Sequence, residues 1–154
     1  MALHLKSTGI DFADISSGDV LDDYEEGTWT PTNVSSGATW NVVVVGTYTK
    51  IARLTHIMCY MDTSGETSGT KSNPWTITGL PFTSRTGGIQ PLASAFYIYI
   101  DRPSGNGLSF HVVANATTIK PYIEADNTSP GDVTAAAFSW SDSRITIGGT
   151  YETT

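Results

Sequence analysis

A chain of 154 residues is long enough for one domain around one core. Charged side chains make up only 15% of it, against roughly 25% in a typical soluble protein, and Ser and Thr fill the gap, so the composition favours strands and turns and excludes a disordered chain. The net charge of -7 sits mostly ahead of residue 27, and the near-neutral body without a Lys/Arg cluster excludes nucleic acid as a partner.

In chain order, residues 1–26 spread Leu3, Leu5, Ile10, Phe12 and Ile15 among small and acidic residues, with Gly9 and Gly18 as breaks. They predict an extended acidic lead-in, with a turn of helix near Asp19 to Tyr24, and no independent core. No charged-then-apolar signal pattern opens the chain, and no apolar run approaches the roughly 20 residues of a membrane span, so neither secretion by a signal peptide nor membrane insertion is expected.

From residue 27 the pattern is β. Strands are expected at Thr28 to Thr32, Thr39 to Val45, Thr47 to Ile51, Leu54 to Met61 and Trp75 to Thr78. Five more follow at Leu92 to Ile100, Leu108 to Ala114, Ile119 to Glu124, Thr134 to Trp140 and Arg144 to Tyr151. The turn clusters SSG, SGETSG, SRTGG, DRPSGNG, ADNTSPGD and SDS separate them. Short strands at this spacing, with no helical period, predict an all-β fold: an antiparallel β-sandwich over residues 27–154, jelly-roll-like.

Two strands lack a polar face. Phe96, Ile98 and Ile100 alternate with Tyr97 and Tyr99, and Leu54, Met58 and Tyr60 alternate with Ile57, Cys59 and Met61. A sheet with water on its outer side carries polar residues there. The two-sided pattern therefore predicts that the outer face is covered, by a symmetric partner or by a loop of the same chain. Cys59 is the only cysteine, so no intrachain disulfide and no cysteine-built metal site is expected, and its apolar surroundings predict a buried, inert thiol.

The segment LDDYEEGTWTPT, Leu21 to Thr32, is the most specific string in the chain. With GIDFAD (Gly9 to Asp14) before it and GTYTKIARLTHI (Gly46 to Ile57) and WTITGLPF (Trp75 to Phe82) after it, it resembles the C-terminal domain of phage tail-fibre and tailspike-like proteins, common in marine phages. The resemblance covers most of residues 9–82. It implies a homotrimeric virion protein whose outer loops attach to the host surface, often to a glycan, and whose N-terminal segment joins other virion proteins. The C-terminal half matches only in style, so no receptor-contact residue carries over. Locally, Pro31 lacks a donor and predicts an edge strand or the lead into a sheet, while Leu80 and Phe82 flank a turn at Pro81 and can anchor it.

No catalytic constellation is legible, and a non-enzymatic protein without a cofactor is expected. His56 and His111 fall mid-strand and read as structural, and the sequence holds no nucleophile elbow, phosphate-binding glycine loop or zinc-spaced histidine pair. The carboxylates of the body fall nearly all in turns, where they bond their own backbone. The acidic run Asp19 to Glu26 lacks calcium-loop spacing, so no metal is expected. Sugar binding needs an aromatic face for the C–H side of a ring and polar groups for its hydroxyls. Tyr97, Tyr99, Tyr122 and Trp140 are the candidate aromatics, with Asp101, Arg102, Asn106, Asp126 and Asn127 as loop partners. Trp29, Trp40 and Trp75 read as core. Two rival functions stay open: a capsid-decorating head fibre or trimerisation cap that meets no receptor, and a glycan-degrading module.

Overall fold

The computed structural model describes residues 4–6, 9–11, 24–35, 42–63, 72–101, 106–124, 126–137 and 143–154. Strands β1 (His4–Lys6) and β2 (Gly9–Asp11) form a small antiparallel ladder of their own. The main body consists of β3 (Tyr24–Trp29), β4 (Thr32–Ser35), β5 (Val42–Ile51), β6 (Leu54–Thr63), β7 (Trp75–Thr78) and β8 (Gln90–Pro91). It continues with β9 (Ser94–Ile98), β10 (Gly107–Val112), β11 (Thr118–Glu124), β12 (Gly131–Asp132) and β13 (Arg144–Glu152). One sheet has the order β3-β5-β6-β13-β9; the other has β4-β7-β11-β10-β8, with β12 beside β11. All their pairings are antiparallel, which gives the two-sheet, jelly-roll-like sandwich expected from the pattern.

The core lies between the sheets. From the first come Trp29, Ile57, Cys59, Met61, Ile145, Ile147 and Tyr151; from the second come Trp75, Ile77, Phe110, Val112 and Ile119. Burial puts the Cys59 thiol pKa up to about 12, which keeps it protonated and inert.

Two short peptides carry the chain between sheets. Thr28 to Thr32 is not one strand: β3 ends at Trp29 on an edge of the first sheet, and β4 starts at Thr32 on an edge of the second. Pro31, fully buried, sits in the crossover, where no ladder donor is needed. Leu92 and Ala93 make the second crossing, between β8 and β9, so the expected strand Leu92 to Ile100 starts only at Ser94 and ends at Ile98. Pro121 lies inside β11, but between the residues that pair with β7 and those that pair with β12.

Three other expectations change. Gly46 does not break a strand: β5 runs through it, and the glycine serves a close approach, since a Cβ there would lie 2.6 Å from the Trp29 indole nitrogen. Thr134 to Trp140 does not begin as a strand. Ala135–Ala137 form a 3-10 turn closed by the Ala137 N–H on the Thr134 carbonyl at 3.1 Å, since alanines offer little side chain to a pleated surface. The first sheet also takes in Tyr24 to Glu26 of the acidic stretch, which pair with β5. The expected helical turn from Asp19 lies, up to Tyr24, outside the described residues.

The strand axis gives the sandwich two distinct ends. At one end Tyr24, Ile51, Leu54 and Glu152 stand in one row across β3, β5, β6 and β13. The buried Gln90 amide ties the second sheet to this end, donating to the Glu152 carbonyl at 3.0 Å and accepting from its N–H at 2.6 Å. At the other end Ile98 pairs with Arg144 and Gly107 with Glu124.

Candidate functional site

The outer faces of the two sheets differ in chemistry. Register puts Ser109, His111, Lys120, Tyr122 and Asp132 together on the outer face of the second sheet, with Ser109 opposite Tyr122 and Tyr122 opposite Asp132. The Lys120 ammonium lies 2.7 Å from an Asp132 oxygen and 5.0 Å from the centre of the Tyr122 ring. The hydrogen bond to Asp132 is the main reason the Lys120 pKa is raised. The His111 ring meets Tyr122 edge-on, with centroids 5.4 Å apart. Ser109 Oγ and His111 Nε2 are 2.8 Å apart, while His111 Nδ1 is buried and finds no hydrogen-bond partner among the described residues.

His111 is therefore half-buried on a polar face, not enclosed in an apolar strand as its sequence neighbours suggest. A hydroxyl on an imidazole is the first half of a nucleophilic dyad, yet a base of that kind is held by a third group on its other nitrogen. Among the described residues none does this, and no three His, Cys, Asp or Glu side chains cluster to hold a metal ion. An aromatic ring flanked by an ammonium, a carboxylate, a hydroxyl and an imidazole suits a polyhydroxylated ligand, whose C–H face covers a ring while its hydroxyls exchange hydrogen bonds.

Of the residues chosen from sequence, Tyr122 belongs to this face. Asn106 precedes β10, and Asp126 and Asn127 form the turn after β11, so the Gly107–Glu124 pair brings all three to the same end of the sheet. Asn127 holds a left-handed φ of 56°, which asparagine adopts readily. Tyr99 and Asp101 follow β9 at that end too: the Ser143 hydroxyl donates to the Tyr99 carbonyl at 2.8 Å, and the Asp101 N–H donates to the Ala137 carbonyl. Tyr97 is placed elsewhere, since it pairs with Ile145 and packs against the core. Arg102 and Trp140 lie outside the described residues. Ser109, His111, Lys120 and Asp132 were missed because no motif marks them; period-2 alternation in β10 and β11 was the available signal.

The first sheet's outer face carries more apolar side chains. Its rows are Val45–Tyr60–Thr146–Phe96 and Thr28–Thr47–Met58–Gly148–Ser94, flanked by Asp62–Arg144–Ile98 and by Glu26–Thr49–His56–Thr150. Tyr24, Val45, Ile51, Leu54, Met58, Tyr60 and Phe96 are all exposed there. A depression of about 300 Å³, lined by Leu54, Arg85, Ile89, Gln90, Thr150 and Glu152 among others, lies at the Tyr24 end, away from the candidate loops.

No family model matches the sequence, and no curated protein matches it. The fold is similar to part of the crystal structure of the Dettilon tailspike protein (gp208), with a TM-score of 0.68 and 13% identity over 84% of this chain. The chain has the fold of a part of a phage tailspike protein. It spans about a quarter of that protein's length, 24%, and at this identity the likeness is one of fold. Among the described residues no helix is long and apolar enough to cross a membrane.

Proposed function

We propose that the chain is a virion structural domain of the tail-fibre or tailspike kind, one that self-associates as a homotrimer and attaches the particle to a host-surface glycan. The observation that carries this reading is the shared two-sheet fold with a tailspike protein over 84% of the chain. The contrast between the outer faces supports it, because an apolar face suits self-association and a polar face with an aromatic centre suits a sugar. The N-terminal acidic stretch serves as the link to other virion proteins. The reading is non-catalytic, and it needs no cofactor. Glycan contact falls to Tyr122 on the sheet face and to the loop residues Asn106, Asp126 and Asn127.

Binding to an array of bacterial surface glycans tests the attachment half. We expect binding that Tyr122→Ala weakens about tenfold, roughly 1.4 kcal/mol, with no change in thermal unfolding. Loss of binding with loss of fold, or binding indifferent to Tyr122, overturns the site. Release of reducing ends from a bound glycan overturns the non-catalytic part. Light scattering tests the trimer, which requires a mass near three times 16.4 kDa.

A further inference from the structure

We infer that the outer face of the second sheet takes uncharged sugars, and that Asp132 is the residue that turns acidic ones away. This rests on the glycan-attachment reading above and names its ligand class. Register is the first argument. Ser109 and Asp132 stand opposite Tyr122 on its two neighbouring strands, ~5 Å to either side. The ring is thus flanked by a hydroxyl and a carboxylate, with Lys120 two residues back on the same face of β11. A sugar hydroxyl both donates and accepts. It can donate to Asp132 and accept from Lys120 while that pair, at 2.7 Å, stays closed.

Charge is the second argument. Among the described residues, the strands of this sheet carry Lys120 and no Arg, against the two acids Glu124 and Asp132. Asp132 already occupies Lys120. Glu124 shares the outer face with Tyr122, and exposed Asp126 follows in the turn. The Glu124 carboxylate lies over Gly107, where an added Cβ would be 3.5 Å from its Oε2. A carboxylate or phosphate on the ligand would meet these two acids at the rim. It would reach the sheet's one ammonium only by opening the Lys120–Asp132 pair. An amino sugar seated on Tyr122 would have to displace Lys120 from Asp132 in the same way. An uncharged ring requires neither.

The array of bacterial surface glycans, sorted into uncharged, acidic and amino-bearing members, tests this with the full chain. Wild type and Asp132→Asn are each run at low and high salt. We expect the wild type to bind uncharged members about tenfold more tightly than either charged class. That binding should change less than about twofold between about 0.05 and 0.5 M NaCl, because the ligand has no charge to screen. Asp132→Asn, with unchanged circular dichroism, frees Lys120 and should bind acidic members about tenfold more tightly than the wild type does. High salt should remove that gain. A wild-type preference for a charged class, or binding that salt weakens about tenfold, overturns this inference and leaves glycan attachment standing. Neither readout needs a variant. A folded Asp132→Asn that gains nothing for acidic members overturns the role of Asp132. A wild type that binds no member overturns the attachment reading, and this inference with it.

Discussion

Ala52 turns the β5–β6 hairpin with a φ of 51°, a left-handed conformation that costs an L-residue with a Cβ about 1–2 kcal/mol. Two-residue hairpin turns favour Asn at such a position. Ala52→Asn should therefore raise the unfolding free energy by about 0.5–1 kcal/mol in urea titration, and an unchanged midpoint would count against strain at this turn. Gly46 is the opposite case, since its missing side chain is what admits the Trp29 indole, whose Nε1–H donates to the Thr47 carbonyl at 3.2 Å. Gly46→Ala should destabilise by about 1–3 kcal/mol through overpacking, and the loss should shrink when Trp29→Ala is added. Additive losses in that double-mutant cycle would mean the two residues do not share one space. Cys59 and Tyr151 link stability to pH. Burial puts each pKa up to about 12 from 9.0 and 10.0, so the folded chain holds these protons more tightly than the unfolded one. Their contribution is fully present below the unfolded values and is lost as pH rises through the folded ones. Urea midpoints should be flat with respect to these two groups from neutrality to about pH 9 and fall between pH 9 and about 12, with Cys59→Ala removing the early part of the fall.

Among the elements, the crossover at Thr30–Pro31 depends on the turn after β7. Gly79 has a φ of 92°, and a Cβ there would lie 2.6 Å from the Thr30 carbonyl oxygen. Gly79→Ala should cost about 2 kcal/mol or more, read as a lowered thermal midpoint, because conformation and space both exclude a side chain. The strand Trp75 to Thr78 was legible to the residue, and so was the alternation of β6, whose Ile57, Cys59 and Met61 are buried while Met58 and Tyr60 face out. Both are long enough in apolar content for the period of 2 to show. What the sequence hid are events that alternation does not encode. A glycine inside a strand marks either a break or a close approach, and Gly46 is the second kind. Just after β9 the left-handed Tyr99, with a φ of 56°, ends the alternation, so Tyr97 and Ile100 both pack against the core while Phe96 turns outward. The polar cluster of Ser109, His111, Lys120, Tyr122 and Asp132 needed the pairing register of three strands, and register is set by contacts distant in sequence.

For the whole molecule, every strand of the two main sheets lies at or after Tyr24. Deleting residues 1–20 should accordingly leave the cooperative unfolding of the sandwich in place, with a midpoint shift of less than about 3 °C in a thermal scan. A collapse of the transition would show that the lead-in supports the core. The row Tyr24–Ile51–Leu54–Glu152 carries a mechanical consequence. The chain enters the sandwich and reaches its last long strand's end in that row, opposite Tyr99, Asp101, Asn106, Asp126 and Asn127. A pull between residues 24 and 152 would peel the ladders apart one hydrogen bond at a time. A tether at residue 24 with the load applied at those loops pulls along the strands, so many bonds share the strain at once. The sandwich thus resists load along its strands better than load across them.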